Sequence, residues 1–336
     1  MDNNTRYYNI EPKKKSKKKP VIIFLSILIG VILLAAIISW FGSSGSSSAG
    51  MKSDHITVLH IEGTIAADSA ETLYTSTYNH EWKMQQLDEA INNPSSKGLI
   101  LYLDTPGGSV YETDELYFKI LEYKETGRPV YSAMGSMAAS GGYYISAPAD
   151  KIIANRNCWT GSIGVTVGTF YDISALLDKY GIKTITITSG ANKAMGSSVE
   201  PMTAEQQAIF QSLVDEAYLQ FVDIVAEGRG MTVDQVKVLA DGRIYTAQQA
   251  VKNGLVDRIG TLDTAIMDMQ KTYGLEDCET NELIYENDDI FASLLAKASA
   301  LSGSSSSSQN GDIAALVELM EKQNSMPIMY MSDMVK

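Results

Sequence analysis

Histidine is scarce in this chain of 336 residues: there are three, His55, His60 and His80, and none beyond position 80. A Ser-His-Asp triad with its histidine downstream of the serine is therefore excluded. A hydrolase built on this chain takes its proton with another base, and lysine is the candidate. Cysteine is as sparse, with Cys158 and Cys278 alone. Two cysteines do not make the disulfide framework of a small secreted domain, and their spacing does not say whether they pair. No CxxC or HExxH motif occurs, so neither a metal site nor a cofactor is expected. His55 and His60, on one strand-like run, read as structural residues.

Positive charge is missing from most of the chain. Lysine and arginine number 27 against 40 acidic residues, and seven of the basic residues lie in positions 1–20 beside two acidic ones. The remainder holds 20 basic and 38 acidic side chains, a net charge of −18. Nucleic acid is excluded as a partner, because phosphate binding needs clustered cations.

What is present at the N-terminus sets topology. KKKSKKK (13–19) and Pro20 precede VIIFLSILIGVILLAAIISWF (21–41), which carries no charge. A helix of that length spans roughly 30 Å, the thickness of a bilayer core. A secretory signal peptide has a shorter apolar core, although the small residues at 43–50 leave a cleavage point as the alternative. The lysines are expected to stay cytoplasmic, placing the bulk of the chain outside the cell as a single-pass membrane protein. The expected organisation is a cytoplasmic basic tail (1–20), a transmembrane helix in the lipid bilayer (21–41) and a Gly/Ser linker (42–50). An extracytoplasmic catalytic domain (51–301) follows, then a Ser-rich linker and C-terminal tail (302–336).

Within 51–301 short apolar runs alternate with helical patterns. ITVLHI (56–61), GLILYL (98–103), PVYSAM (129–134), KIIA (151–154) and KTITIT (183–188) read as buried strands of a mostly parallel sheet. Capping boxes predict helix starts at Ser109 with Glu112, Thr203 with Gln206, Thr232 with Gln235 and Thr246 with Gln249. Phe210, Val214, Phe221 and Val225 form a helical stripe that reads as core. Together these predict an α/β fold with right-handed crossovers.

Three glycine-rich turns follow strand-like runs, where open α/β sheets place their sites. In DTPGGSV (104–110), Gly107 and Gly108 expose backbone amides before a helix, a place that favours a negative oxygen. In MGSMAASGGYYISAPAD (134–150), Ser140 precedes Gly141 and Gly142, so nothing bulky shields its hydroxyl; Ser136, Ser146 and Ser162 are rivals. The amides of Gly108 and Gly141 would form an oxyanion hole. In TSGANKAMGSSVEPMT (188–203), Lys193 lies among small residues, and 185–199 contains no Asp or Glu. A lysine base must be neutral, which needs burial away from carboxylates. A helix-packing serine and a solvated lysine are the plainer readings of each residue alone.

Taken together, DTPGG (104–108), MAASGGYYIS (137–146), TGSIGV (160–165), SGANKAMGS (189–197) and 225–260 resemble the bacterial signal peptide peptidase A family. These are membrane-anchored serine proteases with a Ser-Lys dyad, and the likeness covers about 55–265. The resemblance implies Ser140 as nucleophile, Lys193 as general base, Ser162 as the residue orienting the lysine, and Gly108 and Gly141 as oxyanion donors. It also implies a crotonase/caseinolytic-protease-like fold of repeated ββα layers. A ring-shaped homo-oligomer follows from it too, with Ser140 of one chain meeting Lys193 of the next. The substrates implied are extended apolar peptides such as signal-peptide remnants. Asn192 departs from the family, which often has an aromatic residue before the lysine. Two alternatives stand beside it: a non-catalytic, membrane-anchored peptide-binding scaffold, and a crotonase-type acyl-CoA enzyme. The apolar end MPIMYMSDMV (326–335), tethered by the Ser-rich linker, is expected to lie in a peptide groove and to be trimmed there.

Overall fold

The computed structural model describes residues 53–67 and 78–285 and the backbone strand at 329–331. Four strands stand where apolar runs predicted them: β1 (His55–Glu62), β2 (Ser96–Thr105), β4 (Val130–Ala139) and β5 (Lys151–Ala154). The described part of the chain between β1 and β2 ends in helix α1 (His80–Asn92), and between β2 and β4, β3 (Gly107–Ser109) leads into helix α2 (Val110–Glu125). β1, β2, β4 and β5 pair parallel, β1 with β2, β2 with β4 and β4 with β5. The shorter β6 (Trp159–Gly161), β7 (Ile244–Thr246), β8 (Arg258–Ile259) and β9 (Glu279–Leu283) extend the sheet. Its order is β7-β6-β4-β2-β1-β9, with β5 also beside β4 and β8 beside β5, and β6–β7 is the antiparallel pair. The fold is a mixed α/β layer structure around a parallel-rich sheet.

Strand alternation divides the core into two layers. Leu59, Ile61, Leu99, Leu101 and Leu103 face one side, where Leu116 and Ile120 of α2 (Val110–Glu125) pack on them. Ile56, Val58, Ile100 and Tyr131 face the other, against Ala265 and Met269 of the later helix Leu262–Tyr273. Each such side chain contributes about 1.5–3 kcal/mol by leaving water. Arg128 locks the α1–β2 connection. Its guanidinium donates to the carbonyls of Ala90, Ile91, Asn93 and Ser96 and lies over the Tyr123 ring.

Helix α3 (Gly141–Ser146) is buried throughout, and α4 (Ser174–Lys179) and α5 (Ala204–Arg229) follow it. After them come α6 (Val233–Leu239), α7 (Ala247–Lys252) and α8 (Leu262–Tyr273). The predicted boxes at Thr203, Thr232 and Thr246 all close in both directions. The one at Ser109 does not: its side chain makes no cap.

Two further expectations are corrected. Residues 183–188 form no strand, and Ile185 and Ile187 are 86% and 92% exposed. Their alternation has no neighbouring strand among the described residues to pair with. The α5 stripe is core only at its C-terminal end, where Phe221 and Val225 are buried. Phe210 and Val214 instead line a shallow open depression of about 470 Å³ with Val167, Phe170 and Met202.

Both cysteines are free. His55, His60 and His80 bond to Ser53, to Glu62 and Glu282, and to Tyr78 and Glu115, respectively. Among the described residues no helix is long and apolar enough to cross a membrane. The run 21–41 and the linkers lie outside the described residues.

Candidate active site

The site begins with a break in β4. From Leu103↔Met134 to Thr105↔Ala138, β4 advances four residues while β2 advances two. Asp104 holds this bulge: its Oδ1 accepts from the Ser136 hydroxyl at 2.6 Å and the Met137 amide at 3.1 Å. Beyond the bulge β4 leaves β5 and pairs with β6, Ala139 opposite Gly161. Bulges of this kind re-aim the residues that follow them.

The residue that follows is Ser140. It has φ 54° and ψ −115°, and its N–H donates to the Gly161 carbonyl at 2.8 Å. Ser162, next after Gly161, has φ 51° and donates to the Arg243 carbonyl at 2.8 Å. Among the described residues these two serines are the non-glycine positions with positive φ. Such a conformation costs about 1–2 kcal/mol for an L-residue and persists where surrounding bonds hold it. Both are buried, and the parallel pairing of β4 and β6 brings them together. The other two rivals are engaged elsewhere. Ser146 bonds to Ser132 and to the Gly142 carbonyl, and Ser136 to Asp104.

Gly141 opens α3 directly against the other glycine turn. A Cβ at Gly141 would lie 2.8 Å from Thr113 Oγ1 and 3.3 Å from the Gly108 nitrogen. The two amides expected to hold an oxyanion are thus neighbours. Gly108 in turn admits no side chain, since its Cβ would fall 1.8 Å from the Ile65 carbonyl oxygen.

Ile65 fixes the direction of that strand. Its N–H donates to the Gly107 carbonyl at 2.9 Å, and its carbonyl accepts from the Ser109 amide at 2.8 Å. Successive residues of a strand address opposite edges, so the N–H and C=O of Gly108 face away from Ile65. On that open edge lies β10 (Met329–Met331), antiparallel, with Met329 opposite Ser109, Tyr330 opposite Gly108 and Met331 opposite Gly107. The expected groove for the tail is therefore the edge of β3.

Lys193 is placed differently. Its side chain is exposed, and no hydrogen bond or ion pair joins it to Ser140 among the described residues. Its loop is tied to the start of α5, Asn192 donating to Glu205 and Gln206 to the Ala191 carbonyl. The carboxylate-free segment thus has Glu205 beside it in space. Sequence reasoning missed Asp104 and Ile65 as supports. Asp104 carried a signal, an acidic residue ending an apolar strand before the glycine turn, whereas Ile65 carried none.

The model of peptidase family S49 matches residues 122–276, which include Ser140, Ser162 and Lys193. A protein of Enterococcus faecium whose name places it with signal peptide peptidase SppA is 40% identical over 240 residues, 71% of this chain and 69% of that one. The chain belongs to peptidase family S49. Protease 4 of Haemophilus influenzae is 34% identical over 213 residues, 63% of this chain and 34% of its own length. The chloroplastic serine protease SPPA of Arabidopsis thaliana is 36% identical over 171 residues, 51% of this chain and 25% of its own. The chain therefore spans about a third or less of those two longer relatives.

Proposed function

We propose that this S49 peptidase is a membrane-anchored serine endopeptidase of the signal peptide peptidase type. Ser140 is its nucleophile and Lys193, supplied by a neighbouring copy, its general base. The observation that carries the reading is the strained Ser140 at the end of β4, with the Gly141 and Gly108 amides beside it and a strand edge along Gly107–Ser109 that accepts an antiparallel segment, β10. A peptide adds to that edge as an antiparallel strand, and the carbonyl of the residue opposite Gly108 points at the Gly108 amide. Oγ of Ser140 attacks that carbonyl as neutral Lys193 takes its proton. The amides of Gly108 and Gly141 hold the oxyanion, and the lysinium returns the proton to the leaving amine. Water then resolves the acyl-enzyme with Lys193 as base again. Ser162, next to Ser140, orients the lysine amine.

The exposed arm from 166 to 220 supports a shared dyad. It carries Lys193 away from the core, and its apolar side chains, Tyr180, Ile182, Ile185 and Ile187 among them, stand in solvent in a single chain. An apolar surface of that kind marks an interface. In a ring of copies with the crotonase/caseinolytic-protease-like fold, this arm is what each subunit lays on the next. The apolar segment 21–41 anchors the ring with its N-terminus cytoplasmic, and remnant signal peptides in the membrane are the substrates.

A mixing experiment tests the shared dyad. Full-length Ser140→Ala and Lys193→Ala proteins, each inactive on a signal-peptide substrate in detergent, are combined and allowed to exchange subunits. Recovered hydrolysis is expected, because some interfaces then unite an intact Ser140 with an intact Lys193. Two active single variants, or a mixture that stays inactive after proven exchange, would contradict it.

A further inference from the structure

The start of α2 breaks a pattern the chain keeps elsewhere. Thr203, Thr232, Thr246 and Thr261 each close a capping box at a helix N-terminus. Ser109, with Glu112 three residues on, has the same signature and makes no cap bond. Instead Ser109 Oγ, Glu112 Oε2 and Thr113 Oγ1 are buried without any hydrogen-bond partner. Their residues are 5%, 8% and 0% exposed. Buried oxygens left unpaired cost stability, and native structures keep few of them. Here three occur within five positions of the chain, beside the nucleophile turn.

The chemistry of the cluster is that of a cation site. One carboxylate oxygen and two hydroxyls are left unpaired at the first turn of one helix, and no Lys, Arg or His forms an ion pair with Glu112 among the described residues. Glu115, one turn on, is already taken by His80 and Tyr111. A lysine ammonium has three N–H donors and one positive charge, which matches three acceptor oxygens and one carboxylate.

The β3 register says where such a group arrives. The peptide residue opposite Gly108 presents the attacked carbonyl, so the residue just before it lies opposite Ser109. In β10 that residue is Met329, whose side chain has no N–H or O–H to offer. With β10 in place the three oxygens are unpaired.

We propose that Ser109, Glu112 and Thr113 form a subsite of the peptide groove that takes a substrate lysine at the residue before the one attacked, with Glu112 its specificity-determining residue. The inference rests on the peptidase reading of the same groove. A peptide with lysine there displaces the C-terminal tail, which cannot satisfy the cluster.

The test uses full-length protein in detergent and peptides that differ only at that residue: Lys, Met or Glu. Cleavage is measured with the wild type, and binding by fluorescence anisotropy with Ser140→Ala protein. Lysine is expected to be preferred to methionine by about tenfold or more, the scale of a buried charge-assisted hydrogen bond. Glu112→Gln should abolish that preference while keeping or raising Tm, and Glu112→Lys should favour the glutamate peptide. Thr113→Val should weaken the preference in part. Even cleavage of all three peptides would overturn the subsite and leave the peptidase standing. A binding preference for lysine in a protein that cuts none of them would do the reverse. A Glu112→Gln protein with lowered Tm and an unchanged preference would assign the cluster to packing around a resident water, and the proposal would fall.

Discussion

Ser140 and Ser162 stand side by side at the ends of two paired parallel strands, linked by the bond from the Ser140 amide to the Gly161 carbonyl at 2.8 Å. Both are held at positive φ, 54° and 51°. Glycine adopts that conformation without penalty, so substitution by glycine separates the work of the hydroxyl from the needs of the fold. Ser162→Gly is expected to keep Tm or raise it, since strain of about 1 kcal/mol is removed. It should also lower kcat by about tenfold to a hundredfold, with the alkaline shift in its pH–rate profile that a mispositioned lysine base produces. A Ser162→Gly enzyme with normal kcat and pH profile would reduce Ser162 to a structural residue.

Lys83 offers a test of the core that is independent of catalysis. It is 1% exposed, with its ammonium 4.4 Å from the centre of the Trp82 ring. Burial is the main cause that pushes its pKa down to about 8, against an opposing pull from Glu62. Because the folded value lies below the unfolded one, the unfolded chain binds this proton more tightly. The penalty is complete below pH 8 and is relieved as pH rises from there towards the unfolded pKa. Lys83→Met should therefore be more stable than the wild type at pH 7, by roughly 1–3 kcal/mol, and the gap should narrow by pH 10. Denaturant midpoints at the two pH values measure it. A gap that does not change with pH would mean that Lys83 is not held in the fold as described.

The pairing of Tyr330 with Gly108 makes a definite statement about the tail. If β10 lies as a substrate does, the attacked carbonyl is that of Tyr330, and the enzyme should release residues 331–336. Intact mass spectrometry of purified wild-type protein is expected to show a chain ending at Tyr330, and that of Ser140→Ala a chain ending at Lys336. Identical C-termini in the two proteins would sink the trimming idea.

The parts of the fold legible in the sequence were those in which one chain satisfies itself. Ile56–Ile61, Leu99–Leu103 and Ile152–Ala154 are apolar runs buried on both faces, and burial alone made them strands. Thr203, Thr232 and Thr246 cap helices with their own next turn, a local rule read directly. Residues 183–188 have the same β pattern and failed, because a strand needs a partner and this one has none among the described residues. β3 and β10 were not legible as strands, since three residues show no periodicity and Gly-Gly-Ser carries no apolar signal. At the site, Ser140, Gly108 and Gly141 drew notice because small residues around a serine leave a visible signature, and the structure sets the three side by side. Ser109 and Glu112 were read as a cap. Their departure from the local rule became visible only once burial and missing partners were known.

The account stands or falls on Ser140 and Lys193 acting together. The most direct measurement is hydrolysis of a signal peptide by the full-length protein in detergent, beside Ser140→Ala and Lys193→Ala, with the assembly state of each checked by sedimentation. The account predicts that both substitutions remove activity, by about a thousandfold or more, while assembly is unchanged. Activity that survives in assembled Lys193→Ala would contradict it, and the base would have to be sought elsewhere.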